Sequence, residues 1–218
     1  NGVWHIEMSY MPSMLNNSSY DTICHEHLEY YSLKSLKYLM KLANLKIINI
    51  SFNQVNGGSI SLDVVKKKSK YKENNSLINW LLLREKLNGY NSLKVQKEFF
   101  NKCKKHRFLL NNLIKKLKAQ GKRIYGYGAS TKGNVILQYC NISPKFLDCI
   151  VEVNSFKYNR YTPGSKIKIV SEKQIKKKKP DYLLVLPWHF KEHIIKKEKK
   201  YLDNGGKLIF PLPEIEII

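Results

Sequence analysis

His25, Glu26 and His27 follow one another within Asp21-Thr22-Ile23-Cys24-His25-Glu26-His27-Leu28-Glu29-Tyr30-Tyr31-Ser32, so two of the chain's six histidines flank a carboxylate. An imidazole titrates near neutral pH, and a carboxylate beside it can fix its tautomer and raise its basicity, as a general base requires. Two other readings stay open on the residues alone. A His-x-His pair on a strand puts both rings on one face and can hold a metal, although the helical signature His-Glu-x-x-His is not met and no third ligand stands close in sequence. A solvated polar turn ahead of a helix is the other.

The surrounding elements must position that cluster. The opening Val3 to Met8 alternates as a strand, with Val3, His5 and Glu7 against Trp4, Ile6 and Met8, and no parallel partner precedes it. Together with the missing start Met, this suggests a fragment. Ser32 is placed to cap a helix whose apolar residues Leu33, Leu36, Leu39, Met40 and Ala43 recur at helical spacing. The runs Leu45 to Phe52 and Ser59 to Val65, separated by Asn56-Gly57-Gly58, predict a hairpin. A helix near Leu77 to Leu87 and a long one from Ser92 to Gln120 follow. The long helix carries a row of Phe99, Cys103, His106, Leu110, Leu113 and Leu117 and ends at Gly121. His106 in that row reads as a packed histidine.

The last hundred residues alternate strand and helix. Strands are expected at Lys122 to Tyr127, Phe146 to Val153, Tyr182 to Leu186 and Lys207 to Phe210, and helices near Thr131 to Cys140, Ser171 to Lys178 and Lys191 to Leu202. That order predicts a parallel sheet covered by helices, whose ligands bind beyond the C-terminal strand ends. The first strand runs into Gly126-Tyr127-Gly128-Ala129-Ser130-Thr131-Lys132-Gly133-Asn134. Such a loop can turn the chain or offer backbone amides to a diphosphate. The dinucleotide fingerprint fails at Thr131, and the P-loop fails at Asn134. Glu152 stands where dinucleotide folds bind a ribose hydroxyl. Arg160 lies in the turn Arg160-Tyr161-Thr162-Pro163-Gly164, within reach of an anion. Pro187-Trp188-His189-Phe190 follows the third strand, and its aromatics read first as packing.

Composition bounds the function class. The 218 residues carry a formal charge of +22 and are 43% hydrophobic, enough for a real core. No apolar stretch reaches the length of a membrane span and no signal-peptide pattern opens the chain, so a cytoplasmic protein is expected. The positive charge is lysine, in the runs Lys66 to Lys68, Lys176 to Lys179 and Lys196 to Lys200. Arginine, the better reader of phosphates and base edges, is confined to Arg84, Arg107, Arg123 and Arg160. Specific nucleic-acid binding is therefore not expected. Cys24, Cys103, Cys140 and Cys149 form no Cys-x-x-Cys pair, which argues against a disulfide framework or a zinc ribbon.

Four stretches together resemble a known family: the segment Asp21 to Ser32 with Gly57-Gly58-Ser59, the loop Gly126 to Asn134, Arg160 to Gly164, and Pro187 to Phe190. In this order they are similar to the S-adenosylmethionine-dependent C-methyltransferases that act on nucleotide-linked keto-sugars. The resemblance implies an α/β architecture: residues 1–66 as the remnant of a class I methyltransferase sheet domain, 67–120 as a helical connector, and 121–218 as a Rossmann-like domain. The family's N-terminal zinc-binding segment and the S-adenosylmethionine loop would lie outside this chain, so no metal site is expected within it.

The implied reaction removes a proton from the sugar carbon next to a 4-keto group, and the enolate attacks the sulfonium methyl of the cofactor. By motif match His27 is the base, Glu26 binds or orients the sugar or the base, and His25 supports them. Cys24 replaces a tyrosine associated with that position, which removes a phenol hydrogen bond to the substrate. Ser130, Lys132, Asn134 and Arg160 are the candidates for holding the nucleotide diphosphate. A second reading is a nucleotide-binding module without chemistry.

Overall fold

The computed structural model describes residues 2–175, 178 and 180–218. Within the run Lys176 to Lys179 only Lys178 is among them. The chain divides into two compact units, one of Asn1–Ser19 with His27–Asn101 and the other of Tyr20–Glu26 with Lys102–Ile218.

The first unit is built on β1 (Trp4–Ser9), α1 (Met11–Asn16), α2 (Leu33–Leu42), β2 (Leu45–Asn53), β3 (Ser59–Lys66), α3 (Asn75–Leu87) and the start of α4 (Leu93–Ala119). Its sheet has the order β1-β3-β2, antiparallel throughout. β2 and β3 form the expected hairpin. No parallel partner precedes β1; its partner is the later β3, antiparallel, from Trp4 opposite Val64 to Ser9 opposite Ser59.

One face of the sheet is apolar. Ile47, Ile50, Ile60, Leu62 and Val64 are buried with Leu33, Leu36, Met40, Ile78 and Leu81, and Ile6 and Met8 of β1 pack against them. The opposite face is polar, with His5 Nδ1 2.7 Å from Asp63 Oδ1 and the Ser61 hydroxyl donating to Glu7 at 3.1 Å. In α2 the buried residues are Leu33, Leu36 and Met40, while Leu39 is 40% exposed and Ala43 is exposed. A 100° step per residue puts 33, 36 and 40 on one stripe and turns 39 and 43 to its margin.

Ser32 caps α2 as expected, its hydroxyl accepting from Ser35 N. A second cap comes from α3: the buried Glu85 carboxylate accepts from Leu33 N at 2.6 Å, Lys34 N at 3.0 Å and the Tyr10 hydroxyl at 2.6 Å. A negative group among the free amides of a helix start stabilises it. The segment leading out of the His-Glu-His cluster therefore ends on a fixed helix.

The second unit takes the remainder of α4, then β4 (Ile124–Tyr127), α5 (Thr131–Tyr139), β5 (Ile150–Glu152), β6 (Ile169–Ser171), α6 (Glu172–Ile175), β7 (Tyr182–Val185), α7 (Lys191–Lys197), α8 (Lys199–Asp203), β8 (Lys207–Phe210) and β9 (Glu216–Ile217). The helix expected through Lys178 falls partly outside the described residues. The sheet order is β6-β5-β4-β7-β8-β9, parallel except for β9. Chain order thus reverses between β4 and β7, the switch point at which such sheets open a crevice. Ile124, Ile150, Leu184, Leu208 and Ile209 are fully buried, as strands covered on both faces require. No helix among the described residues is long and apolar enough to cross a membrane.

α4 buries Cys103, His106, Leu110, Ile114 and Leu117 in this unit. His106 is a packed histidine with both nitrogens engaged: Nε2 donates to Pro211 O at 2.5 Å, and Nδ1 accepts from the Tyr20 hydroxyl at 3.1 Å. Since Nε2 faces a carbonyl it must carry the proton, which leaves Nδ1 as the acceptor.

Candidate functional site

The glycine loop sits at the switch point. Gly128, at φ +81°, makes the turn after β4, and a Cβ there would meet the Pro187 ring at 2.8 Å. Gly133 lies against Leu186, where a Cβ would come within 2.8 Å. The close helix-to-strand contact that the third fingerprint glycine provides in dinucleotide folds is therefore made here by Gly133, two residues later than the standard spacing. Ser130 caps α5, its hydroxyl accepting from Gly133 N at 3.0 Å.

Glu152 closes the loop from the neighbouring strand. One oxygen accepts from Ala129 N at 2.9 Å, and the other from Val153 N at 2.8 Å and Asn154 N at 3.0 Å. Lys157 stands 3.5 Å from Glu152 and donates to Ala129 O at 2.6 Å. Burial alone would raise the Glu152 pKa, but the three amides and Lys157 together bring it below the ordinary carboxylate value. A crevice of about 290 Å³ opens beside the loop, lined among others by Ser130, Glu152, Lys157, Phe190 and Lys197. Lys197 donates to Glu172 at 3.1 Å and to the Tyr127 hydroxyl at 2.9 Å.

S-adenosylmethionine is the expected cofactor of methyltransferases, and it would ask this crevice for acceptors to its ribose diol and amino group. The residues do not fit that request. Both Glu152 oxygens are held by backbone amides, and Glu172 is bonded to Lys197. Among the described residues, no group of three His, Cys, Asp or Glu side chains is disposed to hold a metal ion.

The segment Tyr20–Glu26 belongs to this unit and packs its single 3₁₀ turn, Tyr20–Thr22, against α5. Asp21 is fully buried and its Oδ2 accepts from Trp188 Nε1 at 2.7 Å. Tyr20 joins His106 and, at 3.4 Å, Cys140. Glu26 accepts from the Thr131 hydroxyl at 3.3 Å and stands 4.0 Å from His25 Nε2. Its carboxylate is thus directed to α5 and toward His25, and the latter separation is too long for a hydrogen bond. His25 is exposed and Cys24 half-buried. The boundary between units falls between Glu26 and His27; His27 is half-buried and its carbonyl accepts from the Tyr30 hydroxyl at 3.0 Å.

Ser130, Lys132 and Asn134 share the first turns of α5. Lys132 lies within charge range of Asp21, Cys24 and His189. Arg160 is exposed on the loop after β5 and does not line the crevice. Asp21, Lys157 and the polar role of Trp188 are not among the features that residue type and spacing single out. The signal for Asp21 is its place at the head of the His-Glu-His segment, whereas nothing in the aromatic run marks Trp188 as a donor. Trp188 is buried, but it also donates; Phe190 is 57% exposed at the crevice.

His189 has Nδ1 buried without a hydrogen-bond partner. Burial, and secondarily the charge of Lys132, lower its pKa from 6.5 to about 4. A depressed folded-state value means that stability is fully present above pH 6.5 and is lost as pH falls toward 4. Urea unfolding of the chain should therefore show falling stability across that window, and His189→Phe should flatten the dependence; an unchanged slope contradicts the assignment.

Comparison with known proteins places the chain in a family. The family model for the C-methyltransferase C-terminal domain matches residues 54–213. The chain is also 32% identical over 217 residues to the C-methyltransferase NovU of Streptomyces niveus, an alignment that covers 100% of this chain and 51% of that protein. The chain thus spans about half the length of the curated relative it matches. The family match over most of the length and the identity over the whole chain lead to one assignment: this chain belongs to the C-methyltransferase family and comprises its C-terminal part.

Proposed function

We propose that the chain supplies the base and the nucleotide-sugar site of a cytoplasmic C-methyltransferase whose substrate is a nucleotide-linked 4-keto deoxysugar, with methyl transfer from S-adenosylmethionine as the overall reaction. The observation that carries the reading is the mounting of Tyr20–Glu26 on α5, which brings the His25-Glu26 turn onto the unit with the glycine loop. His27 removes the proton from the carbon next to the keto group. The electron pair moves onto the carbonyl oxygen, and the neighbouring carbon becomes the nucleophile. Glu26 and His25 orient the sugar, with Cys24 beside them. Ser130, Lys132 and Asn134 at the start of α5 hold the diphosphate, because free amides and a cation there favour an anion. Arg160, on its exposed loop, would join them only at the outer end of the nucleotide.

The cofactor is held by protein outside these 218 residues, as are the zinc segment and the rest of the sheet domain of which residues 1–66 are the remnant. The 218 residues alone therefore transfer no methyl group. The test uses the full-length protein. It should methylate a nucleotide-linked 4-keto sugar and leave the corresponding 4-hydroxy sugar untouched, because only the ketone acidifies the neighbouring C–H bond. Equal turnover of both would overturn the reading.

A further inference from the structure

Asp21 is the most unusual polar residue in the second unit. Its side chain is fully buried, Oδ2 accepts from Trp188 Nε1 at 2.7 Å, and Oδ1 has no hydrogen-bond partner. Burial raises the Asp21 pKa, and the Trp188 hydrogen bond and then the Lys132 charge oppose that rise and favour the carboxylate. The titratable groups that interact with Asp21 are Tyr20 and Lys132. Lys132, half-buried on the first turn of α5, also interacts with Cys24 of the segment and with His189, just beyond β7. The neighbouring Thr131 hydroxyl holds Glu26. His189 is neutral above about pH 4, so it adds no second cation at neutral pH.

The connection to function runs along the chain. Asp21 lies four residues before His25 and five before Glu26. Tyr20 and Asp21 anchor one end of this stretch through His106 and Trp188, and Glu26 anchors the other through Thr131. We propose that Asp21 is a positioning residue of the substrate site: its buried carboxylate clamps the Cys24-His25-Glu26 turn to Trp188 and holds the Lys132 ammonium beside that turn. This inference rests on the reading that Lys132 meets the anionic part of the substrate.

The charge relationship gives the clamp a measurable signature. Burial lowers the Lys132 pKa, and Asp21 and then Cys24 oppose that effect. Asp21→Asn keeps an oxygen to accept from Trp188 but removes the opposing charge, so Lys132 loses its proton at lower pH. The same substitution removes a negative charge near the bound anion. At pH 7 it should therefore leave affinity for a nucleoside diphosphate unchanged or improved, and at higher pH it should weaken it. A merely structural role for Asp21 would not reverse sign with pH.

Calorimetric titration of the 218-residue chain with thymidine diphosphate between pH 7 and pH 9.5 tests this. The ratio of Kd for Asp21→Asn to that of the unmodified chain should rise severalfold across the range, because loss of the Asp21 charge lowers the Lys132 pKa further. Adding Lys132→Arg, whose guanidinium stays charged, should abolish the rise. Trp188→Phe, which breaks the clamp and keeps the charge, should weaken binding by a similar factor at every pH. A pH-independent ratio, a rise that persists with Lys132→Arg, or unchanged affinity in Trp188→Phe would overturn the proposal, and the last stands even if Asp21→Asn does not fold. No binding by the unmodified chain would overturn this inference and the assignment of Lys132 to the substrate, while leaving His27 as the base.

Discussion

Replacing His27 by Gln in the full-length protein is expected to lower methyl transfer by about 10²- to 10⁴-fold, the usual contribution of a positioned general base. Glutamine preserves much of the side chain's size and can still form hydrogen bonds, but it cannot take up a proton near neutral pH. Affinity for the nucleotide-linked sugar should therefore stay within about twofold, because the α5 residues assigned to the diphosphate are untouched. Turnover is read with a 4-keto sugar nucleotide, and affinity by calorimetry on the same preparation. A parallel loss of affinity and turnover would move His27 from chemistry to binding. Normal turnover would remove it from the reaction.

The second large effect is expected at Glu152. Glu152→Ala leaves the amides of Ala129, Val153 and Asn154 without this acceptor and Lys157 with only the Ala129 carbonyl. The buried Ala129 amide left unsatisfied is destabilising by about 1–3 kcal/mol, and water can reach the part-buried Val153 and Asn154 amides, so a loss of about 1–3 kcal/mol is expected. Glu152→Gln should fall between the two, since its amide oxygen can accept from only one side of the site. The urea midpoint of the 218-residue chain measures both. A midpoint unchanged in Glu152→Ala would mean that the loop does not depend on this carboxylate.

The long-period elements were legible in the sequence because burial imposes one pattern over many residues. α4 and the β2–β3 hairpin lie close to where the apolar spacing puts them, and the strand–helix alternation after Lys122 does form a parallel sheet. The short strands were harder. β6 covers three residues and β9 two, too few to show a period, and they are strands because β5 and β8 offer them an open edge. β1 shows the same limit, since its alternation was clear and its partner lies more than fifty residues away.

Within the candidate site, the motif residues could be found from their types, but their relations could not. Glu26 lies between two histidines in sequence, yet its hydroxyl partner is Thr131, more than a hundred residues later. Asp21 looked like an ordinary polar residue until Trp188 and Lys132 were placed beside it. Glu152 stood at the expected strand end, but its oxygens serve the chain's own amides. Such pairings depend on tertiary placement, which periodicity does not encode.

The central claim is that His27 takes a proton from the carbon next to a sugar ketone. Its most direct test is deuterium incorporation at that carbon when the full-length protein is incubated with the 4-keto sugar nucleotide in heavy water. The account predicts exchange in the unmodified protein and a loss of at least about 10²-fold in His27→Gln. Exchange at the same rate in His27→Gln would contradict it.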